Sequence, residues 1–201
     1  MSLRELSITG AWEMTPTIHR DDRGGFLEAF RSETLAAAIG HRFELAQMNI
    51  SISRRGVLRG IHYADVPPSQ AQYVQCLRGA IIDFVVDIRV GSPTFGQWEG
   101  VRLDDANRSS VYLSEGLGHA FLALEDDTTV AYLVSEPFNA PREHGISPLD
   151  PAIGLEFPIP VDELVLSDKD RDAPSLTEAL VSDALPQYAD VLAFLSELAD
   201  R

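Results

Sequence analysis

The sequence predicts a mainly β fold, a small antiparallel sandwich or barrel edged by a few short helices. Three observations carry that expectation. Short β-branched or aromatic runs follow one another from about residue 43 to 135, Gly, Pro, Asn or Asp punctuate them closely, and helical spacing lies outside that block.

The first 30 residues read as strands with the freedom to pair across to a second copy. "SETLAAAIG" (32–40) reads as a helix, with Ser32 as N-cap and Gly40 as terminator. Strand runs then follow in "FELAQMNISIS" (43–53), "YVQCLRGAIIDFVVDIRV" (73–90) and "GQWEGVRL" (96–103), while "RRGVLRGIHY" (54–63) reads either as a solvated turn leading into a strand or as an anion clamp with a histidine beside it. "SSVYLS" (109–114), "HAFLALE" (119–125) and "TTVAYLVS" (128–135) complete the block. Turn chemistry is explicit in "LRGA", "VGSPTFG", "LDDANRSS" and "SEGLGH". "APREHGISPLDPAIGLEFPIPVDE" (140–163) is rich in proline and turn residues and reads as an ordered loop wrapping the barrel. Leucine and alanine at helical spacing on both sides of Pro186 predict two short helices. Residues 1–174 are therefore expected to form the working domain, with a 175–201 tail packed on it.

With 201 residues, 45% of them hydrophobic, the chain suits one globular domain. A formal net charge of −15 argues against nucleic acid or an anionic membrane as the main partner. No apolar run approaches a membrane span, and "MSLRELSITG" lacks a signal-peptide layout. The one cysteine, Cys76, fits a reducing compartment. The expectation is a soluble cytoplasmic protein.

Three constellations could carry chemistry. The first is a metal site of the kind found in cupin-type barrels, with two histidines two residues apart, a glutamate, and a later histidine. Here Ala64 stands two positions after His62, the next polar residues considered are Ser69, Gln70 and Gln72, and the later histidine is His119. Two imidazoles without a carboxylate make a poor site, because catalytic metals take three protein ligands. No metal or cofactor is expected. The second is proton transfer by His62, whose side-chain type titrates near neutrality, with Tyr132 and Asp170 as further groups. Taken singly, each is as well explained by a structural role. The third is anion binding by Arg59, supported by Arg54, Arg55 and Arg23. Apolar neighbours in "GVLRGIH" point Arg59 into a barrel mouth, where a buried guanidinium needs an anionic partner.

Several motifs in order decide between these readings: "DDRGGFLEAF" (21–30), "AQMNISISRRGVLRGIHY" (46–63), "VVDIRVGSPTFGQWEGVRL" (85–103), "LSEGLGHAFLAL" (113–124) and "LSDKDRDAP" (166–174). Over roughly residues 5–175 the chain resembles the dTDP-4-dehydrorhamnose 3,5-epimerases and their relatives in deoxysugar biosynthesis. The resemblance implies a cupin-like jelly-roll barrel that works without metal, as a homodimer, on a dTDP-linked 4-keto-6-deoxyhexose. It implies proton abstraction alpha to the ketone, at C3 or C5 or both, and reprotonation from the opposite face. His62 then corresponds to the base, Asp170 to its carboxylate partner and Tyr132 to the acid. Arg59 and Arg23 correspond to diphosphate contacts, and Phe26, Glu28 and Gln47 to nucleotide-recognition positions, with the 23–28 stretch reaching the neighbouring subunit. Asn49, His119 and Lys169 fall on substrate-pocket positions. Gln72 occupies a slot where the family usually carries lysine, and Phe138 one where many members carry tyrosine. Gln72 leaves open an alternative, a weakly active or non-catalytic binder of dTDP-sugars. The wording "PPSQAQYV" is similar to enzymes of antibiotic deoxysugar pathways.

Overall fold

The computed structural model of the chain describes residues 1–200. Two antiparallel sheets face each other. The six-stranded sheet runs β1 (Ser2–Glu5), β2 (Ala11–Thr15), β10 (Ser110–Leu113), β7 (Gln72–Arg78), β12 (Thr128–Val134), β5 (Gln47–Ser53). The five-stranded sheet runs β13 (Glu143–Gly145), β6 (Leu58–Ala64), β11 (Gly118–Ala123), β8 (Ala80–Val86), β9 (Trp98–Asp104). A separate hairpin joins β3 (His19–Asp21) to β4 (Gly24–Phe26). This is the mainly β, cupin-like double sheet that the sequence predicts.

Burial explains the apolar patterns. Val74, Val111 and Val130 of one sheet meet Ile81, Val85 and Leu103 of the other in the inter-sheet core. The opposite face of β8 is covered as well, Phe84 and Val86 packing against Ile146, Ile153 and Leu176. A strand covered on both faces has no polar alternation, which is why "AIIDFVV" is nearly continuous in hydrophobicity. Each such side chain contributes about 1.5–3 kcal/mol by leaving water. On the outer face of the six-stranded sheet, Tyr73, Tyr112 and Met14 are covered by Phe43 and by Leu35 of helix α1 (Ser32–Ile39).

Helix α1 ends as expected, Gly40 taking a left-handed φ of 86° while its N–H donates to Ala36 O. Its start differs. The N-cap is Arg31, in extended conformation and without a side-chain cap, and Ser32 is already the first helical residue. The loop from 140 to 163 begins and ends in single 3-10 turns (Ala140–Arg142 and Val161–Glu163) and carries an unexpected strand, β13, which pairs with β6 through Glu143↔Ala64 and Gly145↔His62. β1 and β2 pair within their own sheet.

The tail forms α3 (Leu176–Val181), opened by a reciprocal Ser175–Glu178 capping box, and α4 (Tyr188–Ala199). It is fastened at Tyr188, whose N–H donates to Val90 O at 2.9 Å. The Tyr188 ring also lies 5.1 Å from the buried Arg89 guanidinium, itself held by two hydrogen bonds from Nε and Nη2 to Asp87, each 2.8 Å.

Candidate active site

Two sequence features shape the cavity between the sheets. The first is strand β5, "QMNISIS", whose alternation is inverted. Met48, Ile50 and Ile52 are exposed, while Gln47, Asn49 and Ser51 turn inward and are half-buried. A polar inner face has no place in an oily core, so it marks where the barrel opens into a polar cavity.

The second is Gly60. Residues 59 and 62 are an odd number apart, so a regular strand would send them to opposite faces. The β6–β11 ladder pairs Phe121 with Arg59 and His119 with His62, with the register shifting between them. Two residues of β6, Gly60 and Ile61, thus face only Ala120, and the bulge returns Arg59 and His62 to one cavity. Gly60 adopts a φ of +115°, and a Cβ there would lie 2.4 Å from His119 O. Only glycine fits.

The cavity, about 150 Å³, brings together Arg59, His62, His119, Asn49, Gln72, Tyr132, Phe138 and Lys169. His62 Nε2 meets Asp170 Oδ1 at 2.6 Å. Asp170 sits on a single turn, α2 (Asp168–Arg171), capped by Ser167, whose Oγ donates to Asp170 Oδ2 at 2.8 Å. Burial pushes the Asp170 carboxyl up, but the His62 hydrogen bond and charge, with Ser167 and Lys169, outweigh it and hold it below its ordinary value. Asp170 is therefore an anion, which can only accept the hydrogen bond, so the Nε2–H donates to it and Nδ1 is left as the free ring nitrogen of His62. Beside it, His119 Nε2 meets the buried Asp83 Oδ1 at 2.6 Å, a second histidine–carboxylate pair.

Tyr132 stands on β12, in the sheet opposite His62. Burial raises its phenol above the ordinary value, Glu143 adding and the Arg59 charge opposing, so it is a protonated donor at neutral pH. Gln72 opens β7, and its Nε2 donates to Gln70 Oε1 at 3.4 Å. Gln47 lies just outside the cavity lining, bridging Asn49 Oδ1 (2.6 Å) and the Phe138 N–H (3.2 Å). Arg59 lines the cavity as expected but is not buried. Its guanidinium is exposed, donates to Ser53 Oγ at 3.3 Å and has no carboxylate partner among the described residues. A mouth open to water solvates it without an anion.

Arg23, Phe26 and Glu28 lie outside this cavity. Arg23 pairs with Asp21, Glu28 with Arg31, and the Phe26 ring is 70% exposed. A larger hollow of about 390 Å³ under the β3–β4 hairpin, between Arg20 and Arg108, holds none of the paired acid–base groups.

A family model described as dTDP-4-dehydrorhamnose 3,5-epimerase matches residues 5–178. The chain belongs to this family. It is 58% identical over 198 residues to the dTDP-4-dehydrorhamnose 3,5-epimerase of Mycolicibacterium smegmatis, covering 98% of this chain and 97% of that one. Among solved structures it is similar to the rmlC epimerase of Mycobacterium tuberculosis, with a TM-score of 0.96, 48% identity, and coverage of 98% and 100%. It is also similar to ChmJ, a 3'-monoepimerase from Streptomyces bikiniensis in complex with dTDP-quinovose, with a TM-score of 0.94, 47% identity and 98% of both chains covered.

Four cavity residues escape sequence reasoning as site residues: Gln70, Phe121, Glu143 and His144. Phe121 falls in an expected strand, where an aromatic reads as core. Glu143 and His144 fall in a stretch that reads as loop, because a three-residue strand is too short to show a period of two. Burial raises the Glu143 carboxyl, against the Asn139 backbone N–H and the charges of Lys169, His62 and His144.

Proposed function

We propose that the protein epimerises a dTDP-linked 4-keto-6-deoxyhexose at carbons next to the ketone. The observation that carries this reading is His62, held by Asp170 at 2.6 Å on one wall, with Tyr132 on the opposing sheet. The ketone acidifies the hydrogens on C3 and C5. His62 Nδ1 takes one proton, and the C–H electron pair becomes the enolate C=C while the carbonyl pair moves to oxygen. Tyr132 then donates a proton to the same carbon from the other face, the carbonyl reforms, and the configuration inverts. Each well-placed acid or base accelerates such a step about 10²–10⁴-fold. The relatives named above are epimerases that share action at C3, which favours catalysis over passive binding and puts C3 first.

The diphosphate falls to Arg59, with Asn49, His119 and Phe138 around the sugar nucleotide. Arg23, Phe26 and Glu28, placed outside their own cavity, serve that of a second copy. The exposed apolar face of β5, Met48, Ile50 and Ile52, supports a homodimer. No helix among the described residues is long and apolar enough to cross a membrane. The buried thiol of Cys76, pushed up to about 11, suits a reducing, cytoplasmic setting.

The test is an NMR time course in deuterated solvent with dTDP-4-keto-6-deoxyglucose, which reads C3 and C5 separately. Deuterium should enter at C3 with inversion, and His62→Ala or Asp170→Asn should lower the rate at least about 10²-fold. Wild-type protein that exchanges neither position would overturn the reading.

A further inference from the structure

Enolate formation places negative charge on the carbonyl oxygen, and a donor aimed at that oxygen is commonly the largest single contribution to such catalysis. Gln72 brings a neutral amide, and that amide is turned toward Gln70. Arg59 donates to Ser53 Oγ, and its charge acts on Tyr132. One other cation lines the cavity, Lys169, and it is the single lysine of the whole chain.

Its position is set by the base. Lys169 is the residue before Asp170 on the one-turn helix α2, which contacts β6, the strand of His62. Its charge helps hold the Asp170 carboxyl down and acts on Glu143, which lines the same cavity. Among the described residues no carboxylate lies within salt-bridge distance of it. The carbonyl carbon adjoins both C3 and C5, so whichever hydrogen His62 removes, the developing oxyanion is two bonds from the reacting carbon. Lys169 lines the same cavity as His62 on a flexible four-carbon stem, which gives its ammonium the freedom to follow that oxygen.

We propose that Lys169 is a catalytic residue of this enzyme, its ammonium donating a hydrogen bond to the C4 oxyanion and supplying the positive charge that Gln72 lacks. The proposal rests on the epimerase reading. No proton is transferred in this role. The ammonium keeps its charge through the cycle, while His62 and Tyr132 exchange protons with carbon.

The sole lysine makes the test selective. Wild type, Lys169→Met and Lys169→Arg are assayed by deuterium entry and inversion, with kcat and KM determined separately. A second sample of folded wild type is acetylated, with Lys169→Arg treated identically to account for the N-terminal amine. Lys169→Met and acetylated wild type should lose about 10²–10³-fold in kcat, the cost of deleting one oxyanion donor, with KM within about threefold. Lys169→Arg, keeping a charge with altered reach, should fall less, and acetylation should not lower it further. A loss confined to KM would make Lys169 a diphosphate anchor and overturn the proposal. So would full kcat in either neutralised protein. The acetylated sample decides if Lys169→Met fails to fold. Absence of exchange in untreated wild type would instead overturn the epimerase reading beneath it.

Discussion

Tyr132 and His62 face each other from different sheets, and their separate duties can be taken apart one residue at a time. Under the proposed mechanism, removing the Tyr132 hydroxyl leaves His62 able to form the enolate but takes away the proton for the far face. Tyr132→Phe should therefore keep exchanging deuterium at C3 while accumulating little inverted product, whereas His62→Ala should lose both signals in the same NMR assay. Equal loss of exchange in the two variants would show that Tyr132 acts earlier than reprotonation. A second residue bears on stability. Glu115 is 2% exposed with its Oε2 unpartnered, and burial, with the Glu136 charge adding, pushes its carboxyl up to about 7 against its own backbone N–H. A carboxyl whose folded value is raised stabilises fully below its unfolded value and loses that stability as pH rises through the folded one. Glu115 thus costs the fold up to about 3 kcal/mol between pH 4.5 and neutrality. Glu115→Gln should raise Tm at pH 8 and gain little at pH 5. The same Tm change at both pH values would contradict this assignment.

At the level of single elements, β6 carries the site because it is irregular. Its bulge at Gly60 and Ile61 is what puts a guanidinium and an imidazole, three residues apart, into one cavity. A methyl group on Gly60 would meet His119 O and Ala120 Cα, both backbone atoms, at 2.4 and 2.7 Å. Nothing nearby can rotate away, and the strained φ adds to the cost. Gly60→Ala should lower Tm markedly, and whatever folds should lose activity by more than about 10²-fold, since an ångström of misplacement at a reacting group costs that much. An unchanged Tm together with unchanged turnover would mean the bulge is dispensable. In the sequence "RRGVLRGIHY" reads as a basic turn leading into a strand or as an anion clamp, and a bulge has no periodicity of its own to settle which. The glycine is the only local sign of it. The inverted β5 is the opposite case, since "QMNISIS" shows its alternation plainly and only burial reveals that the polar side faces in.

The whole molecule joins two groups that one cavity does not unite. Arg23, Phe26 and Glu28 lie on or just beyond the β3–β4 hairpin, away from His62, while Met48, Ile50 and Ile52 expose an apolar stripe along an edge strand. An exposed edge of that kind invites pairing with another chain. Under the proposed homodimer, Arg23→Ala and His62→Ala spoil different halves of each composite site. Each variant alone should be nearly inactive. Co-expressed, they should form mixed dimers with one intact site and recover a measurable fraction of wild-type turnover. No recovery from mixed dimers that can be isolated would place the hairpin's action within its own chain.

What the amino-acid order determined by itself was the β class, the flanking helices and a set of residue types able to move protons and hold anions. These are legible because backbone periodicity and turn chemistry act over a few neighbouring residues. The roles of His62, Tyr132 and Asp170 came from motif resemblance, since each taken singly fits a structural part equally well. Tertiary structure decided the rest. The 2.6 Å approach of His62 to Asp170 joins residues 108 positions apart, and no local pattern encodes so distant a contact. It also opened Arg59 to solvent, added Glu143 from a strand too short to read, and brought the chain's one lysine beside its base.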